Sequence, residues 1–407
     1  MGLSGAKRVF DVVVAGGGVA GLALAACLKQ AVGADANILI ADPRLGESEG
    51  RERALAIAPG SRRLLTEIGV WENVVSRAQP IREMAIMDGG VNDGARPVHL
   101  TFRENAAEPL AHMAMNADIV AALRDRALAL GVETVKAGVS GFTTNRYTID
   151  AIIGGVAART RLLVGADGAR SKLRAFADIA TIGWDYRQSA IVATIAHERE
   201  HNARAEQHFL PAGPFAILPL PGRRSSIVWN ESRADAAALL SLDRADFHRE
   251  LEARFTLKLG EIEAVSQPIA LPLVYRVARR FIAERLALVG DAAHVVHPLA
   301  GQGLNLALRD VASLAEHIVE RMRLGLDPGD AENLAAYERA RRFDVAASGL
   351  GMDLMNRLFS NDSGPVRASR DFGLRLVDLT PSLKRLLIEE AAGVRGAAPR
   401  LLLGQAL

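Results

Sequence analysis

Phe10-Asp11-Val12-Val13-Val14-Ala15 is a short, β-branched apolar run, and Gly16-Gly17-Gly18-Val19-Ala20-Gly21 follows it without a gap. Leu22 to Gln30 then reads as a helix. A buried strand, a glycine turn and a helix, in that order, leave few choices of fold. Gly16 permits the tight turn, Gly18 lets the backbone approach a pyrophosphate, and Gly21 lets the helix pack close to the strand. The helix N-terminus offers free N–H groups and a partial positive charge to a phosphate. A second strand, Asn37 to Ala41, ends at Asp42, where a carboxylate accepts hydrogen bonds from an adenosine ribose. The unit predicts a Rossmann-like dinucleotide site, and by itself it does not separate NAD from FAD.

Two later stretches end in the same way. The buried run Arg161 to Ala166 stops at Asp167-Gly168 and continues as Ala169-Arg170-Ser171-Lys172-Leu173-Arg174. Such a string is also an ordinary turn, but it resembles the carboxyl end of a doubly wound sheet, where ligands bind. The run Leu286 to Val289 stops at Gly290-Asp291, passes His294 and His297-Pro298, and reaches Gly301-Gln302-Gly303-Leu304-Asn305. A long helix, Leu304 to Met322, begins there. This last loop is expected to close the nucleotide site that Gly16, Gly18 and Gly21 open, so the first domain must be discontinuous. Arg53 follows the second strand; on spacing alone it is either a solvated surface charge or a phosphate or ring contact.

Between these motifs the pattern changes. Ile81 to Met87 and Val98 to Phe102 read as strands around a turn at Asp88 to Gly94. From Ala190 to Leu273, short strands such as Ile191 to Ala196, Phe215 to Leu220 and Ser225 to Trp229 alternate with Pro/Gly turns, and one helix, Asp243 to Phe255, interrupts them. Ser61 to Ile68 reads as a helix capped by Ser61, and the last ~70 residues as helical and Arg-rich. The fold class is therefore α/β with α+β: a discontinuous Rossmann-like domain, an inserted antiparallel-sheet domain and a helical C-terminal region. The boundaries are 1–80, 103–180 and 276–330 for the first, 81–102 and 181–275 for the second, and 331–407 for the third. The 407 residues allow two domains with real cores. A net charge of +2 with scattered Arg gives no nucleic-acid footprint. One cysteine, Cys27, excludes a disulfide framework and a Cys-based metal site, and no metal is expected. No run reaches the ~20 apolar residues of a membrane span, and no signal peptide is evident, so a cytoplasmic setting is expected.

The three motifs in order, GxGxxG at Gly16–Gly21, Asp167-Gly168 with Ser171 and Arg174, and Gly290-Asp291, together resemble the para-hydroxybenzoate hydroxylase class of FAD-dependent aromatic monooxygenases. Within that class, His294-Val295-Val296-His297-Pro298-Leu299-Ala300-Gly301-Gln302-Gly303-Leu304-Asn305-Leu306 with Asp310 is similar to the signature of the ubiquinone-biosynthesis hydroxylases. Gly213 to Leu220, Ser226 to Trp229 and Pro381 to Lys384 resemble that subfamily too, so the likeness covers essentially the whole chain.

The resemblance implies FAD as cofactor and NAD(P)H as co-substrate. Its cofactor contacts would be Gly16, Gly18, Gly21, Asp42, Arg53, Asp167, Gly168, Gly290, Asp291, Pro298, Gly301, Gly303, Leu304 and Asn305. Asp42 stands where Glu is more usual and is one methylene shorter. The implied reaction is hydroxylation of a prenylated phenol by O2 through a flavin C4a-hydroperoxide. His297 and Pro298 are the flavin-flanking candidates for catalysis; His208 and Tyr275 are weaker candidates for phenol activation. Other implied partners are proteins of a quinone-biosynthesis complex, a peripheral contact with the inner membrane and a second copy of the chain. The competing readings are a hydroxylase of a small soluble aromatic, a flavin-bound assembly component with little turnover, and an NAD-dependent dehydrogenase.

Overall fold

Three buried strands that are far apart in sequence lie side by side at the centre of the molecule. In the computed structural model, which describes residues 9–47, 53–89, 96–104, 108–296, 301–359, 377–393 and 398–407, Val9–Ala15 pairs in parallel with Ile38–Ala41 on one side and Val156–Gly165 on the other. Val156–Gly165 in turn pairs in parallel with Leu286–Leu288. The side chains of Val12, Val13, Val14, Leu162, Leu163 and Leu286 are all fully buried, which suits β-branched and aliphatic residues in a sheet covered on both faces. Glu133–Val135 extends the parallel sheet, and Ile282–Ala283 and the hairpin Val139–Thr144/Ile149–Ile153 complete it. The register aligns Ala15 with Gly165 and Gly165 with Leu288. The three motif loops therefore leave the sheet together, at its carboxyl edge, where doubly wound folds bind ligands.

Among the described residues the second sheet has nine strands, and all but one of its pairings are antiparallel. Its centre is Thr181–His197, Arg224–Ser232, Gly213–Leu220 and Arg204–Leu210. Along the paired segments side chains alternate between its two faces. Ile191, Phe215, Ile217, Ile227 and Trp229 pack on Leu239, Phe247, Leu251 and Phe255 of the helices Arg233–Ser241 and Arg244–Phe255. The intervening residues, among them Ala190, Val192, Ala216 and Val228, face back toward the first sheet and line a cavity there. A small third sheet (Ala54–Ile57, Gln79–Ile81, Ala111–Met115) bridges the two, and the helices Ala331–Phe359 and Pro381–Ala392 close the C-terminal side.

Three sequence expectations shift. The strand expected from Ile191 begins at Thr181, because a bulge between Asp185 and Ser189, with Arg187 at φ +57°, breaks the alternation that marks a strand. The helix expected from Ser61 starts at Pro59, whose fixed φ suits a first helical position. Before the last motif loop, Ile282–Ala283 and Leu286–Leu288 form a hairpin that turns at Arg285. The boundary placed at 275 falls within the strand Ile269–Ala278, which pairs with His294–Val295, so the second sheet reaches into the last motif loop. Most of the turn expected at Asp88 to Gly94 lies outside the described residues.

Candidate active site

A cavity of about 750 Å3 opens between the carboxyl edge of the first sheet and the inner face of the second. Its two walls differ in kind. The first is backbone and charge: Gly16, Gly17, Gly18, Asp42, Arg53, Asp167, Gly168, Asp291, Gly301, Gly303 and Leu304. The second is small and apolar: Ala190, Val192, Pro214, Ala216, Leu218, Val228, Leu271 and Leu273, with Gln207, Ser226 and Asn230 as its polar members.

The glycines of the first wall divide by role. A Cβ on Gly16, which sits at φ +123°, would lie 2.1 Å from the carbonyl oxygen of Ala166, so this turn admits only glycine. A Cβ on Gly21 would lie 2.0 Å from the carbonyl oxygen of Gly16. Gly21 thus fixes the approach of the helix Val19–Val32, and it does not line the cavity. Around Gly18, Gly168 and Gly303 no described atom beyond the neighbouring residues and the local helix backbone comes within 4 Å of a Cβ position. Nothing in the protein requires glycine at Gly18 and Gly303, where a ligand laid against the backbone would; Gly168 sits at φ +80°, which favours glycine by itself.

Polar side chains hold this wall in place. Asp42 accepts the Gly17 N–H through Oδ2 (2.6 Å) and the Arg44 N–H through Oδ1 (2.6 Å). The short carboxylate is thus pinned to the glycine turn while lining the cavity. Asp167 caps the helix Lys172–Phe176, accepting the N–H groups of Lys172 (2.7 Å) and Leu173 (3.1 Å) through Oδ2. Its Oδ1 is buried without a partner. Arg174 donates to the carbonyl oxygens of Ala292 (2.7 Å) and Ala169 (3.0 Å), tying the second motif loop to the third.

The third loop is anchored from behind. Gly290, at φ +60°, donates its N–H to Asp310 Oδ2 (2.9 Å), and His294 Nε2 lies 2.6 Å from the same oxygen. Arg341, from the helix Ala331–Phe359, donates to Asp310 Oδ1 at 2.7 Å and also pairs with Asp344. Burial opposes the Asp310 charge, but His294 and Arg341 outweigh it and hold the carboxyl below its ordinary range. Asp291 faces the other way, into the cavity, where burial raises its pKa against the pull of His294 and Arg53. Arg53 has no ion pair among those described.

The long helix Gln302–Arg323 starts at Gly301, in the left-handed region at φ +67°, and presents its N-terminus to the cavity through Gly303 and Leu304. Its first N–H groups and its dipole favour negative charge there. Asn305 does not line the cavity. Its Oδ1 accepts the Ala58 N–H (2.9 Å), and its Nδ2 donates to Ala56 (3.0 Å) and Gly301 (3.2 Å) carbonyls, which staples the helix start to the third sheet. His297 and Pro298 lie outside the described residues. Neither His208 nor Tyr275 lines the cavity: His208 is buried between Arg96 (3.2 Å) and Glu206 (3.0 Å), and Tyr275 stacks on Trp184 at 4.4 Å. Arg341 is the anchor that sequence reasoning missed, since nothing in a helical Arg-rich stretch distinguishes one Arg from the next.

The fit to a dinucleotide such as FAD is direct. An open glycine backbone at Gly18 leads into a helix start, an acid sits at the end of the second strand, Arg53 lines the same space, and a second helix N-terminus faces it.

Comparison with known proteins agrees. The family described as FAD binding domain matches residues 9–348. Over 400 residues the chain is 41% identical to the ubiquinone hydroxylase UbiL of Rhodospirillum rubrum, covering 97% of this chain and 92% of that protein. It is 33% identical over 394 residues to the 3-demethoxyubiquinol 3-hydroxylase of Escherichia coli, covering 94% and 98%. Among solved structures, the p-nitrophenol 4-monooxygenase PnpA of Pseudomonas putida aligns over 95% of this chain and 99% of its own, with a TM-score of 0.78 at 19% identity, a likeness of fold alone. With the three motif loops converging on one cavity, the chain belongs to the FAD binding domain family, in its flavoprotein monooxygenase class.

Proposed function

We propose that this protein is a FAD-dependent hydroxylase of ubiquinone biosynthesis that acts on a prenylated phenol. The observation that carries the reading is the cavity itself: one space with a dinucleotide-shaped wall on one side and an apolar floor on the other. The relatives named as ubiquinone-pathway hydroxylases support the pathway. NAD(P)H is the proposed source of electrons. A peripheral contact with the membrane, a quinone-biosynthesis complex and a second copy of the chain are the proposed partners. Among the described residues no helix is long and apolar enough to cross a membrane.

The chemistry the flavin supplies when bound is reductive activation of O2 for transfer of one oxygen atom to an electron-rich ring. The chain's own residues do the rest. Gly16, Gly18 and the helix start at Val19 admit the pyrophosphate, with Asp42 toward the ribose. Arg53 and Asp291 serve the remainder of the cofactor, with Asp167 and Gly168 beside them. The N-terminus of Gln302–Arg323 stabilises negative charge on whatever ring lies against it. Ala190, Val192, Ala216, Leu218 and Val228 exclude water from the ring-facing side. The test is purification with flavin analysis, followed by turnover of a short-chain prenylphenol under isotopically labelled O2. Bound FAD and label in the product are expected; a protein without FAD, or a product without label, overturns the reading.

A further inference from the structure

The apolar floor of the cavity carries two polar side chains whose bonding is incomplete. Gln207 is 6% exposed and Asn230 4% exposed, and both line the cavity. Gln207 keeps its Nε2, and Asn230 its Oδ1, buried without any hydrogen-bond partner. An unsatisfied buried amide atom costs stability, and native proteins keep such groups where something else meets them. The terminal torsion of an amide is soft, so either end is available to a ligand docked on this face.

Their placement is set by register. Gln207 pairs with Ala216, and Ala216 pairs with Val228, two residues short of Asn230 on the same strand. The two side chains thus sit on one face, two strands and two residues apart, about 12 Å by strand spacing and rise. That is the order of one oxygen-substituted ring with a hydrogen bond of about 2.8 Å at each end. Between them lie Pro214, Ala216 and Val228, which are small and apolar and leave the space open. The cations of the cavity, Arg44, Arg53, Arg170 and Lys172, and its carboxylates, Asp42, Glu47, Asp167 and Asp291, all belong to the dinucleotide wall, and no described residue on the sheet wall carries a charge.

We propose that Gln207 and Asn230 are a ring-orienting pair that holds a neutral aromatic substrate by two oxygen substituents, setting which ring carbon is presented and disfavouring a ring carboxylate. The inference rests on the hydroxylase reading above, and it adds the charge class of the substrate and the residues that select it. A neutral amide satisfies a hydroxyl or ether oxygen. It offers no counter-charge to a carboxylate, whose desolvation on this apolar face would go uncompensated.

The experiment uses the full-length, FAD-loaded protein. The ligands are an ortho-prenylated methoxyphenol and its para-carboxylated analogue, titrated by their perturbation of the flavin absorbance. Wild type is expected to bind the neutral ring at least tenfold more tightly. Gln207→Leu and Asn230→Leu should each raise that Kd roughly tenfold, the worth of one hydrogen bond lost inside the site. Both variants should retain flavin and, without ligand, melt no lower than wild type, because each removes an unsatisfied buried atom. A merely structural role would instead lower the ligand-free Tm and leave Kd unchanged, which overturns the proposal, as does preference for the carboxylate. If the ring binds as expected but chemically reduced enzyme and O2 yield no hydroxylated product, the pair stands and the hydroxylase reading falls. Where turnover occurs, mixed product positions in either variant add the orienting role directly.

Discussion

The two walls of the cavity are built on opposite principles. The dinucleotide wall is anchored by polar groups committed to the protein: Asp42 to two backbone N–H groups, and behind the wall Arg174 to two carbonyls, Asn305 to three backbone partners, and Asp310 to Gly290, His294 and Arg341. On the sheet wall the positions are held by side chains on the far face, where Phe215, Ile217, Ile227 and Trp229 are buried against helices. The near face is left small and nearly unbonded. The first wall must hold backbone groups at fixed places, and only hydrogen bonds and close approaches do that. The second must leave room, and a two-residue alternation does that with no local signature.

That contrast breaks first at Asp310. Asp310→Asn leaves His294 and Arg341 facing a neutral group in a buried site, and a cost of about 3–5 kcal/mol is expected from losing one partner of a buried ion pair. Denaturant midpoints measure it, and flavin content should fall with it because Gly290 loses its anchor. Gly21→Ala should cost about 1–3 kcal/mol, since its new methyl meets the Gly16 carbonyl. Gly18→Ala should leave apoprotein stability within about 0.5 kcal/mol, because its methyl meets only open space, and yet weaken FAD binding. A matched loss of apoprotein stability in both variants would mean that Gly18 is structural.

Across the cavity, Ala216→Phe should bind flavin normally and shift apoprotein stability by no more than about 1 kcal/mol, because the added ring projects into empty space. Turnover of a prenylphenol should nevertheless collapse, and consumption of reductant without product would locate the block on the ring side.

The smallest effect is expected behind the dinucleotide wall. Burial and then Arg62 lower the His112 pKa from 6.5 to about 4, against the opposing pull of Glu108. Between those values the unfolded chain binds the proton that the folded chain excludes. His112 therefore destabilises the fold progressively as pH falls from 6.5 toward 4, and does not do so above 6.5. His112→Gln should flatten that part of a Tm-versus-pH curve while leaving the Tm at neutral pH little changed.

Much of the dinucleotide wall was legible from sequence because its constraints are local. A strand that must end, turn on a glycine and start a helix writes those needs into adjacent residues, as at Ala15–Gly21, Gly165–Ser171 and Val289–Asp291. Asn305 shows the limit. Its place in a motif marked it as a cofactor contact, while the structure spends its amide on Ala56, Ala58 and Gly301. Type and position are visible in a sequence; the direction a side chain takes is not.

What the sequence alone determined was therefore the family, the cofactor class and the three loops, since glycine geometry and helix starts are properties of neighbouring residues. Tertiary structure decided which face of the second sheet looks at the cavity and that Arg341 anchors a loop some fifty residues before it. It also brought Gln207 and Asn230 to one floor, because strand register and helix packing are settled between segments that carry no record of each other.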